Sequence, residues 1–127
     1  MRTPFVVPAL AVLAVAGCAV DTASPVRAAE RFHAAIAGRQ EESACAMLAR
    51  RTADKLPAPG QTCADALREA KLGPGGQPTS VSVWGDEAQV RLAGDTLFLR
   101  RFSDGWRVRA AGCRPVPDLP YECEVED

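Results

Sequence analysis

Asparagine is absent from the 127 residues, histidine and isoleucine occur once each, and lysine occurs twice. The lone histidine, His33, excludes every site built from two or more imidazoles, including the His-rich catalytic zinc sets. No Cys-x-x-Cys pair occurs either, which removes the commonest spacing of a structural zinc site. The apolar stretch Phe5–Val15 is 11 residues and contains Pro8, well short of the ~20 that a membrane-spanning helix needs. Positive charge is not in excess: 15 basic side chains face 16 acidic ones, so no nucleic-acid partner is expected. The serines lie outside any Gly-x-Ser-x-Gly context, and Gly73-Pro74-Gly75-Gly76 lacks the Lys-Ser/Thr of a phosphate-binding loop. No acidic segment has calcium-loop spacing. No metal or cofactor is implied.

The N-terminus carries the most specific pattern. Arg2 supplies a positive start, Phe5–Val15 an apolar core, and Val15-Ala16-Gly17 a small-residue cleavage site. Cys18 follows at once, and the whole resembles the bacterial lipobox. That resemblance implies a diacylglyceryl group on Cys18, cleavage after Gly17, and a mature protein held to the membrane by its lipid. The expected organisation is a signal segment over 1–17, a tether over 18–23 and one domain over 24–127. Lipidation of Cys18 leaves four cysteines, Cys45, Cys63, Cys113 and Cys123, and export to an oxidising compartment favours disulfides among them. Three pairings are open. Chain order favours 45–63 and 113–123, two short loops each worth about 3 kcal/mol.

Helical spacing dominates the first half. Ser24-Pro25 reads as a cap and first helical residue. Val26, Ala29, Phe32, Ile36 and Ala37 then share a face up to Gly38. A second helix is expected from Glu41 to Arg51, and a third after the capping sequence Thr62-Cys63-Ala64-Asp65, closing at Leu72-Gly73. Beyond Pro78 the period becomes two. Four strands follow, over 80–84, 88–92, 96–102 and 106–111, with turns at Gly85-Asp86, Gly94-Asp95 and Asp104-Gly105. The remainder, rich in proline and glutamate, reads as an extended, stapled tail. Three helices followed by a four-stranded antiparallel meander make an α+β domain with helices on one sheet face.

This arrangement resembles the nuclear-transport-factor-2-like superfamily, in which a curved sheet wraps around helices to form a cone. The chain is also similar to small actinobacterial lipoproteins. The residues that carry this are the lipobox, Ala44-Cys45-Ala46-Met47-Leu48, Cys63-Ala64-Asp65-Ala66-Leu67, Asp95-Thr96-Leu97-Phe98-Leu99, Gly105-Trp106-Arg107-Val108, Ala110-Ala111-Gly112-Cys113 and Pro120-Tyr121-Glu122-Cys123. The resemblance implies a fold and a location, and no activity.

Few side chains are candidates for chemistry. His33 borders the apolar stripe and reads as a packing residue, although superfamily enzymes use a histidine with an aspartate inside the cone. Asp54, Asp65 and Asp86 read as turn or capping residues. Alternation places Arg91, Arg101 and either Arg107 or Arg109 near one surface, where a guanidinium cluster could hold an anion or a partner carboxylate. Trp84 and Trp106 at strand ends and Tyr121 in the C-terminal tail read as core lids or as one aromatic contact patch. The expectation is a non-catalytic lipoprotein on the outer face of the cell membrane, binding a small ligand or an envelope protein. The alternatives are an isomerase or dehydratase using His33 and a structural envelope assembly factor. Cys18→Ala is expected to release the protein from the membrane fraction; retention of that variant, read by fractionation, would refute the anchor.

Overall fold

The computed structural model describes residues 2–6, 8, 11 and 19–127, so the lipidation and cleavage expected at Cys18 lie outside the described residues. Among the described residues four helices precede five strands: α1 (Ala23–Ala37), α2 (Glu41–Ala46), α3 (Arg50–Lys55) and α4 (Cys63–Glu69), then β1 (Pro78–Trp84), β2 (Glu87–Leu92), β3 (Thr96–Phe102), β4 (Gly105–Val116) and β5 (Leu119–Val125). The strands form one antiparallel meander in the order β1-β2-β3-β4-β5. The domain is therefore α+β, with one helix and one strand more than the sequence predicts. None of the described helices is long and apolar enough to cross a membrane.

Each departure from expectation has a local cause. At the start of α1 it is Asp21, not Ser24, that holds the free N–H groups: its Oδ1 accepts from Ala23 N at 3.0 Å and Ser24 N at 3.2 Å. Ser24 and Pro25 thus fall inside the first turn. The expected second helix is cut in two because the chain leaves it after Met47 and Leu48 pairs with β4. Val108 N donates to Met47 O at 3.0 Å, and Ala49 N donates to Val108 O at 2.8 Å, a parallel bridge centred on Leu48. The fifth strand was hidden by Pro115, Pro117 and Pro120. Proline is tolerated at a sheet edge, where a missing N–H faces solvent. Here Pro117-Asp118 makes the turn, with Asp118 at φ 60°, and the expected extended, stapled tail, Tyr121 included, is paired with β4 as β5. The capping sequence before α4 does form, with Thr62 Oγ1 accepting from Asp65 N at 3.1 Å.

The core lies between α1 and one face of the sheet. Ala28, Ala29 and Ala35 let the helix approach closely, and Phe32 is fully buried against Val90, Leu97, Leu99 and Val108. Burying a side chain of that size contributes about 2–3 kcal/mol. The inward set follows from register: Ala88 faces Leu99 and Val90 faces Leu97, so Glu87, Gln89, Arg91, Phe98 and Arg100 point to the outer face.

Of the three pairings open to the four cysteines, the structure holds Cys45–Cys63 and Cys113–Cys123. The first ties α2 to α4, and the second crosses directly between β4 and β5. Replacing either pair by alanine is expected to lower the unfolding free energy by about 3 kcal/mol, measured by urea denaturation of the oxidised protein.

Candidate functional site

His33 has a carboxylate partner that sequence reading missed. The last turns of α1 bring the ring to the start of β3, where Nε2 donates to Asp95 Oδ2 at 2.6 Å. Asp95 was expected in a hairpin turn. Leu92 N donates to Asp95 O at 2.7 Å, however, so Ala93-Gly94 is the two-residue turn and Asp95 directly precedes β3. Its side chain turns inward and also accepts from Gly112 N at 3.1 Å and Cys113 N at 3.2 Å. These amides sit where β4 slips register against β3.

The pair is sealed from solvent. His33 and Asp95 side chains are 7% and 5% exposed, and Nδ1 is buried with no protein partner. Above the ring passes the segment expected to be a free linker. Gly75 lies so close that a Cβ there would stand 2.7 Å from His33 Cγ, and Gly75 O accepts from Gly94 N at 2.7 Å. The arrangement joins α1, the β2–β3 turn and the β4 bulge through one carboxylate. Acid–base chemistry needs a reachable proton, and neither side chain lines the clefts at the other end of the sheet.

That other end holds most of the arginines. Arg50 and Arg51 of α3, Arg100 of β3 and Arg109 of β4 line a groove of about 530 Å³, with Asp54, Asp86 and Asp127 on its walls. Arg109 is fixed on two sides, to Glu87 Oε2 at 2.9 Å and to Asp127 Oδ2 at 3.3 Å. Burial works against its charge, but those two carboxylates outweigh it and hold the guanidinium more firmly protonated than usual. Arg100 reaches Glu87 Oε1 at 3.7 Å, and Arg101 meets Asp86 Oδ1 at 2.9 Å. Arg50 and Arg51 are exposed and make no ion pair among the described residues. They were not singled out in the sequence because α3 was read as the end of a longer helix.

The expected clusters divide differently. Arg91 does not join Arg101. It pairs with Thr96 on the outer face and donates to the Tyr121 hydroxyl at 3.0 Å, whereas Arg101 follows Leu97 and Leu99 in the inward register. Two residues of a hairpin share a face only when opposite or an even number of positions from opposite, which makes Arg100 the companion of Arg91. The aromatic residues are separated too. Tyr121 stacks edge-on against Phe98 at 5.1 Å, Trp106 is half-buried with Arg101 5.6 Å from its ring centroid, and Trp84 is 52% exposed. No group of three or more metal-ligating side chains occurs among the described residues.

His33→Ala and Asp95→Ala are each expected to cost about 3–5 kcal/mol of stability, because either change leaves a buried polar partner uncompensated. The double variant should cost less than the sum, a coupling that urea unfolding of the full cycle would read. No protein-family model, curated protein or solved structure matches this chain.

Proposed function

We propose that this protein is a lipid-anchored, extracytoplasmic domain that binds without catalysis, taking an anionic small ligand or a carboxylate-bearing envelope partner in the arginine groove. One observation carries the reading: guanidinium groups from α3, β3 and β4 converge on an open groove of about 530 Å³, and those of Arg50 and Arg51 make no ion pair among the described residues. Structural arginines of comparable number would normally be consumed by ion pairs, as Arg101 and Arg109 are. Guanidinium forks match carboxylate and phosphate oxygens two at a time, so several on one groove favour an oxyanion. The burial of the His33–Asp95 pair supports a binding role over an acid–base one. Helices packed on a bulged antiparallel sheet also support a nuclear-transport-factor-2-like fold, with Phe32 of α1 fully buried in the core.

Titration calorimetry of the Cys18→Ser chain with citrate and with inorganic phosphate tests the groove. Binding is expected, weakening as NaCl is raised, and falling about tenfold or more in Arg50→Ala/Arg51→Ala, since a charge-assisted contact is worth roughly 1.5–3 kcal/mol. Binding that is unchanged in the double variant, or absent with both anions, would remove the small-ligand reading.

A further inference from the structure

The ends of the sheet differ in charge and in apolar exposure. At one end lie the β1–β2 turn, the β3–β4 turn and the first turns of α1. Asp21, Ser24 and Arg27 share a cleft there with Arg101, Gly105 and Trp106. Eight of the thirteen arginines line this cleft and its two neighbours, against five aspartates, although the whole chain carries a net charge of −1. Arg27 and Arg31 are exposed on α1 and make no ion pair among the described residues. Beyond the N-terminal segment, the large apolar side chains left exposed among the described residues are Trp84 at 52% and Phe102 at 40%. Each is the last residue of its strand, and antiparallel pairing puts both strand ends at this same edge of the molecule.

We propose that this end of the domain rests on an anionic phospholipid surface. Tryptophan at a water–hydrocarbon boundary and arginine against phosphate headgroups are the two side chains that such a surface selects. A small anion would use the guanidinium groups but give no reason for Trp84 and Phe102 to stand in water. The direction of the chain adds an independent argument, which rests on the lipid-anchor reading above. Four residues separate Cys18 from Ala23, five steps of chain that reach at most about 18 Å at full extension. An acylated Cys18 therefore keeps the start of α1 within that distance of the headgroups, and Arg27, Gly105 and Trp106 line the cleft beside it. The arginine groove opens on the same end, so lipid phosphates would be its nearest anions.

Vesicle cosedimentation of the Cys18→Ser chain, at 50 and 300 mM NaCl, tests the docking without the acyl chains. The apolar segment Phe5–Val15 is common to all variants and contributes equally to vesicles of either charge. Phosphatidylglycerol vesicles are expected to bind about tenfold or more tightly than phosphatidylcholine vesicles at low salt. Arg27→Glu/Arg31→Glu should lose at least tenfold of that binding, at about fivefold per arginine near an anionic surface. Arg68→Glu/Arg114→Glu, away from this end, should not. In a Trp106→Phe chain, brominated lipid should quench Trp84 fluorescence. Equal binding to both vesicle types, or Trp84 left unquenched on bound protein, would overturn the proposal. Circular dichroism of the charge variants separates lost docking from lost folding. Fractionating cells that carry the native Cys18 keeps the two readings apart. Membrane-bound native protein with unquenched Trp84 sinks the docking and leaves the anchor. Soluble native protein whose Cys18→Ser form still prefers phosphatidylglycerol sinks the anchor and leaves the docking.

Discussion

One carboxylate sets the geometry of the domain. Asp95 accepts hydrogen bonds from the β4 backbone at Gly112 and Cys113 and from the His33 ring. The first two close a gap that the slipped β3–β4 register opens in the ladder, where buried N–H groups would otherwise be left bare at about 1–3 kcal/mol each. The third fixes where along the sheet α1 lies. With its C-terminal half pinned there, α1 must present its N-terminal turns to the β3–β4 turn, and Arg27 and Arg31 arrive beside Trp106 as a result. The glycine segment over His33 completes the closure, since any side chain at Gly75 would meet the ring.

The groove has a separate origin in the length of β4. This strand runs 12 residues, whereas β5 covers it only from Ala111 onward. The uncovered half offers unpaired backbone groups, and Met47–Ala49 takes them at Val108. That pairing ends α2, starts α3 and swings Arg50 and Arg51 over the sheet edge toward Arg100 and Arg109. Thr52, fully buried, fastens α3 there through a hydrogen bond to Arg109 O at 2.9 Å. A sheet of equal strands would leave no place for this helix and would have no such groove.

How far the sequence reveals this depends on the range of the interaction. Local signals were readable: the Thr62 cap, the Gly85-Asp86 turn, the alternation of Ala88, Val90 and Leu92, and the pairing of cysteines close in the chain; the Asp104-Gly105 signal marks the right hairpin one residue late, since Ser103-Asp104 make the turn. Contacts across sixty residues were not. Nothing around Met47 says that it will leave a helix for Val108, and nothing around Asp95 distinguishes a turn aspartate from a buried acceptor. The prolines of the last twelve residues speak against a strand by propensity, and edge position overrides them. Arg91 and Arg101 were grouped by spacing, yet the parity of the β2–β3 hairpin puts them on opposite faces. The site was legible as residue types and illegible as a place.

The two cysteine pairs are nested within their own halves of the chain, with sequence separations of 18 and 10 and no interleaving. A polypeptide delivered from its N-terminus into an oxidising space exposes Cys45 and Cys63 long before Cys113 appears. At that moment the native partner is the nearest one, so the first bond forms without competition and withdraws both thiols. When Cys113 and Cys123 arrive, they find only each other among these four. Under the export proposed above, delivery order would sort these four cysteines by timing, with neighbours in the chain as the native partners.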